Sequence, residues 1–166
     1  MSTTLLLIDE LCTVVQEATG NLMLETENSN NLTAVQVIPG FLDDDSPKAG
    51  KPDSIPVPFV IVRLLSAEDG SQQSTAIVKI IATTYSRHGQ GWRDALEVLE
   101  RIRQTLLTNR TVAKKFRLEF PVKIEVPEER PWPYSVAWMT TAWTIAQPIM
   151  KIDYDKDWGG IYGEKY

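Results

Sequence analysis

The stretch "PEERPWPYSVAWMTTAWTI", residues 127 to 145, holds the densest set of groups able to do chemistry. Glu128 and Glu129 are adjacent, and Trp132, Tyr134, Trp138 and Trp143 follow. Carboxylates beside exposed aromatics are what a sugar-binding or hydrolytic groove needs. Glycoside hydrolysis requires two carboxyls facing each other across about 5–9.5 Å of sugar. Neighbouring residues of an extended segment point to opposite faces, so Glu128 and Glu129 serve poorly as such a pair. Glu68 and Asp69 fail for the same reason. Trp138 and Trp143 differ by an odd step, which puts them on opposite faces of one strand. Without a bulge they do not line one groove. A carbohydrate-binding or hydrolytic module is therefore the remote alternative.

Other reactive types are sparse. His88 is the only histidine, and Asp94, six residues on and on a predicted helix, gives it no defined geometry for acid–base work. Gly89 and Gly91 between a strand and a helix resemble a phosphate cradle. The third glycine of the dinucleotide fingerprint falls at Asp94, whose carboxylate repels phosphate. The sequence reads there as a loop needing flexible φ. Asp43, Asp44 and Asp45 lack the spacing of a calcium loop, since the twelfth position is Ser54. Cys12, the only cysteine, falls on an apolar helix face and excludes an intrachain disulfide. No metal, no cofactor and no catalytic residue is expected, and the chain is not read as an enzyme.

These residues depend on the elements that hold them. "STTLLLIDELCTVVQEATG" reads as a helix with Leu5, Ile8, Leu11, Cys12 and Val15 on one face, a cap at Ser2, Thr3 or Thr4, and Gly20 at its end. "NLTAVQVI" is a short strand. Residues 39–58 hold five of the ten prolines and the aspartate run, which predicts a long loop. "FVIVRLL" and "STAIVKIIATTYS" read as strands joined antiparallel through "SAEDGSQQ". "GWRDALEVLERIRQTLLTN" is the clearest helix, with Trp92, Ala95, Leu96, Leu99, Ile102 and Leu106 in one stripe. Glu97 and Arg101 stand four apart in the favourable order. "FRLEFPVKIEV" and "YSVAWMTTAWTI" complete the set as two strands. The order predicts an α+β fold: a mainly antiparallel sheet of four to five strands, with an N-terminal helix and one long helix on one face. Residues 1–150 read as one domain, and 151–166 as a polar, aromatic tail.

Composition bounds the class. The 166 residues are 43% hydrophobic and 23% charged, which is globular. A net charge of −5 lacks the basic footprint of duplex-binding proteins. No apolar run approaches the roughly 18 residues of a membrane span. The N-terminus lacks a basic lead, and Asp9 and Glu10 interrupt its leucines, so a soluble, cytosolic chain is expected, without a membrane partner. Arg110, Lys114, Lys115 and Arg117 form a basic cluster. In an acidic chain it reads as a solvated helix end or as a patch meeting an acidic patch on a neighbouring subunit, with Asp43, Asp44 and Asp45 its natural complement.

Taken together, "PFVIVRLLSAEDG", "GWRDALEVLERIRQTLL", "FRLEFP" and "PEERPWPYSVAWMTTAWTI" resemble small tail proteins of tailed phages and prophages of Firmicutes, of the tail terminator or tail completion type. The similarity spans roughly residues 35–148. It lies in the Trp-Arg-Asp opening of the long helix and the Pro-Glu-Glu-x-Pro lead into a Trp- and Thr-rich last strand. The resemblance implies a helix followed by a sheet with a helix inserted. It implies no catalytic site, and a ring, typically hexameric, on the end of the tail tube. The ring stops tube growth and meets the head connector; a connector or neck role is the near alternative. Its partners are further copies, the tube protein and the connector, with DNA only as passing cargo. It assembles in the host cytoplasm and ends in the virion tail. The long loop projects toward tube or lumen in related proteins, and an acidic run there suits DNA that must slide without sticking. On this reading Asp43, Asp44, Asp45, Lys114, Lys115, Trp132, Tyr134 and Trp158 are the expected subunit or tube contacts, with Tyr162 and Tyr166 as further anchors. Trp92, Leu96, Leu99, Ile102 and Leu106 are the expected core. One of Trp138 and Trp143 is expected beneath the helices, and the other under a neighbouring subunit.

Overall fold

A computed structural model describes residues 2–27, 29–42 and 57–151. Helix α1 (Thr4–Thr19) starts where Thr3 accepts a hydrogen bond from the Leu6 backbone N–H, satisfying one of the orphan donors of a first turn. It buries Leu7, Ile8, Leu11 and Val15, while Leu5 is exposed. The buried stripe is thus turned slightly from the expected face. Strands β1 (Met23–Thr26) and β2 (Ser29–Ala34) form a separate antiparallel pair.

The main sheet runs β3 (Gln36–Pro39), β4 (Phe59–Asp69), β5 (Ser74–Tyr85), β8 (Tyr134–Ile145), β7 (Phe116–Glu125), β6 (Thr111–Val112) in space. It has six strands and is mixed, which corrects the expected four to five mainly antiparallel ones. The added strands have identifiable causes. "NLTAVQVI" divides at Val35: its first half pairs with β1 and its second runs parallel to β4. A parallel neighbour needs a crossover of a dozen or more residues, and the proline-rich stretch between Pro39 and Phe59 supplies that length. The short β6 folds back on β7 through a turn in which Ala113 and Lys114 take positive φ. The β4–β5 hairpin is antiparallel, as "SAEDGSQQ" predicts.

Helix α2 (Trp92–Thr108) packs on β5 and β8, and α1 packs on α2, β3 and β4. Both helices cover the same sheet face, and one core joins them. Ala95, Val98, Leu99, Ile102 and Leu106 form the buried face of α2. Burying each large one contributes on the order of 1.5–3 kcal/mol before entropy. Leu99, Ile102 and Leu106 are core as expected; Leu96 is half-buried at the flank, and Trp92 is not core. Trp92 is the first helical residue, and helical side chains lean toward the N-terminus. Its ring lines an open groove beside Val126 and Pro131 and stays 46% exposed. The Glu97–Arg101 pair forms at 3.2 Å. Arg103, aided by Gln104, holds Glu100 well below the carboxylate range, at about 2.

Strand β8 alternates strictly: Ser135, Ala137, Met139, Thr141, Trp143 and Ile145 are buried, and the even residues are half-buried. Trp143 sits between Ala76 of β5 and Leu118 of β7, so a small neighbour leaves room for the indole. No described helix is long and apolar enough to cross a membrane.

Candidate functional site

The segment 126–135 meets the loop 86–91 at one end of the sheet, and Arg130 ties them. Its Nη2 donates to the Ser86 carbonyl at 2.7 Å and to Pro133 at 3.3 Å. Nη1 donates to the His88 carbonyl at 3.3 Å, and Nε to Tyr134 at 3.1 Å. A guanidinium is suited to this because its five donors lie in a fixed fork. Ser135 Oγ adds a bond to the Gly91 carbonyl at 3.2 Å. Gly91 has an ordinary φ of −62°, which corrects the expectation of a flexible-φ loop. Its need is space: a Cβ there would collide with Ser86 and with the Arg130 guanidinium. Gly91 is thus demanded by the close approach of Ser86 and Arg130. Asp94 faces the same corner, and its carboxyl is pushed up by burial, then by Glu25 and Glu97.

His88 lies in this corner with its side chain 80% exposed and Nε2 3.3 Å from Glu25 Oε1. The same carboxylate accepts from Ser86 Oγ at 3.4 Å. Its partner therefore comes from β1, a strand that the sequence pattern did not disclose. Glu25, Glu27, Tyr85, Arg87 and His88 line a polar hollow of about 690 Å³. Among the described residues, no three His, Cys, Asp or Glu side chains are placed to hold a metal ion. Burial, then Asp9, pushes the Cys12 thiol up to about 11, so little thiolate forms at neutral pH.

Beside the clamp runs an apolar groove of about 240 Å³ between the start of α2 and the 126–131 segment. Trp92, Leu96, Val126, Pro127, Pro131 and Val136 supply its walls, and Glu128 its rim. Small-molecule sites are commonly about 300–1,000 Å³, so this groove suits one or two side chains better. Trp132 stands nearby in the chain, 61% exposed, and Tyr134 packs edge-on against Tyr85 with centroids 5.7 Å apart.

The expected contact residues do not form one patch. Trp132 and Tyr134 stand at the start of β8. Lys114 and Lys115 are exposed in the β6–β7 turn, beside the end of β8, because Phe116 pairs with Ile145. The two sets are separated by the length of a twelve-residue strand, roughly 37 Å. Asp43, Asp44, Asp45, Trp158, Tyr162 and Tyr166 lie outside the described residues. The expected long loop is described only at its ends, and the tail only at Lys151.

The tryptophan parity holds. Trp143 is fully buried, its indole N–H donating to Thr141 Oγ1 at 2.8 Å. Trp138 lies on the helix-free face, donating to Glu125 Oε2 at 3.1 Å beneath the Lys79 ammonium. These two rings do not line one sugar groove. The Arg130 clamp was missed in the sequence; a lone arginine in a proline-rich lead-in, facing a Gly-x-Gly loop, was the available signal. No protein-family model matches the chain, and no curated protein matches it.

Proposed function

We propose that this chain is a structural protein of a phage or prophage tail. It closes as a ring, six copies being typical of the family it resembles, on the end of the tail tube. The ring stops tube growth and offers a surface to the head connector, while DNA passes through as cargo. In this reading the chain catalyses nothing; it assembles in the host cytoplasm and stays in the virion tail.

The resemblance over residues 35–148 motivates the reading, and one structural observation carries it. The aromatic surface at Trp132 and the basic turn at Lys114 and Lys115 stand at opposite ends of one sheet. A head-to-tail ring joins two unlike surfaces of each subunit, and this chain offers two. A stable joint covers on the order of 800 Å² per partner, and exposed tryptophans are frequent anchors in such joints.

Deleting the gene from an inducible prophage and imaging the lysate tests the proposal. Over-long tails lacking heads are expected. Tails of normal length beside unjoined heads would move the chain to the neck, and normal headed particles would refute both roles.

A further inference from the structure

We propose that the arm after β8 of one copy seats in the Trp92–Val126 groove of the next copy, with Ile149 and Met150 filling it. The proposal rests on the ring reading and names its joint.

The arm is held and unsatisfied at once. Gln147 Nε2 donates to the Gly70 carbonyl at 2.8 Å, which ties the arm to the β4–β5 turn. Directly beyond, Ile149 is 93% exposed and Met150 76% exposed. Two adjacent bare apolar side chains on an anchored arm gain by burial, and Met adapts to an irregular slot. The groove is the matching feature, with Trp92 and Val126 left 46% and 54% exposed on its walls.

Reach excludes the chain's own arm. Ala137 lines the groove, and Ile145 lies eight residues further along an extended strand, about 27 Å away. Five residues from Ile145 to Met150 span at most about 18 Å even when straight. The tie at Gly70 holds the arm at the far end as well. The occupant must come from another copy.

Charge favours the same pairing. The arm carries Lys151 directly after Met150, and the groove end carries Glu128 and Glu129, both exposed. Glu68 and Asp69 end β4 next to Gly70, where the arm is tied, so the arm's own anchor is acidic too and the pairing rests first on the apolar fit. Arg130 lines the groove, yet its guanidinium is occupied by four carbonyls. Electrostatic fit of this kind sets register more than affinity.

The test uses the full chain and sedimentation. An arm variant, Ile149→Asp with Met150→Asp, and a groove variant, Val126→Lys, alter exposed side chains and should keep the wild-type circular dichroism. Trp92→Ala serves as a second groove variant if Val126→Lys does not fold. Each variant alone should associate at least tenfold more weakly than wild type. Mixed one to one, the groove variant's intact arm meets the arm variant's intact groove. That mixture should give dimers that grow no further. An arm variant that associates like wild type overturns the joint but leaves a ring built from other surfaces. Folded variants that fail to dimerise on mixing overturn it too, as does a wild type that stays monomeric at millimolar concentration. Tail length in the deletion lysate is read separately, so the ring role and this joint fail independently.

Discussion

The two faces of β8 place the same side chain in different settings. On the helix-covered face Trp143 is fully buried, and its one polar atom bonds to the neighbouring Thr141 hydroxyl, itself bonded to the Val78 carbonyl at 3.1 Å. On the bare face Trp138 is half-buried and held from above by Lys79 and from the side by Glu125. The covered face is stabilised by area removed from water. The bare face is stabilised by directional contacts between groups that stay wet, each individually worth little. A single strand therefore separates what folds the domain from what its surface can offer to a partner.

The largest effect should come from breaking the covered side. Trp143→Ala removes a fully buried indole between Ala76 and Leu118, and buried Trp→Ala changes cost about 3–5 kcal/mol. Urea unfolding of the purified chain measures it; a loss under about 1 kcal/mol would erase the distinction between the faces. Trp138→Ala should cost less, about 1–2.5 kcal/mol. It forfeits one indole hydrogen bond, roughly 0.5–1.5 kcal/mol, and one cation–π contact of about 0.5–1 kcal/mol. Equal losses at the two positions would mean that the bare face is covered in solution, as it would be under a neighbouring copy. Repeating both measurements across a concentration series separates these cases.

The parity of Trp138 and Trp143 was legible because a strand's period is two and nothing interrupts β8. The α2 stripe was legible over Leu99, Ile102 and Leu106 because helical spacing there coincides with packing. It failed at Trp92, whose ring borders an open groove; periodicity records direction, not whether a neighbour fills the space. Parallel pairing of β3 was hidden because it depends on a distant strand and on a connection whose length permits either sense. The Arg130 clamp was hidden for a related reason. Four carbonyl acceptors from two segments carry no residue-type signature, and only Gly91 hinted that something pressed close. Trp132, Tyr134, Lys114 and Lys115 were expected as contacts from residue type alone, and their separation to opposite ends of the sheet required the register of β7 against β8.

Carboxylates give the smallest effects and the sharpest contrast, because the two sides shift them in opposite directions. On the bare face Glu125 is held below the usual carboxylate range, first by its hydrogen bond from Lys123 and then by the Trp138 indole. A depressed carboxylate stabilises the fold above its unfolded pKa, and that contribution disappears as pH falls through the folded value. Acidification should therefore move the Trp138 indole N–H resonance while leaving that of Trp143 in place, and Glu125→Gln should abolish the movement. At the edge of the covered side, burial, then Glu25 and Glu97, raise Asp94. Here the native state binds the proton more tightly, so stability falls as pH rises from the unfolded toward the folded pKa. Arg130 and His88 oppose this by attraction, and so does the helix end, since Asp94 lies in the first turn of α2, where the dipole favours a negative charge by about 0.3–1 kcal/mol. The upward shift means that burial and the two neighbouring acids outweigh Arg130 and His88. Asp94→Asn should then leave neutral-pH stability unchanged or higher, by up to about 0.5 kcal/mol, and remove the decline between the unfolded and folded pKa of this carboxyl. A clear loss on this substitution would reverse the ranking. It would mean that the carboxylate is held by the helix end, and that the covered side, like the bare one, keeps its acids because they are charged.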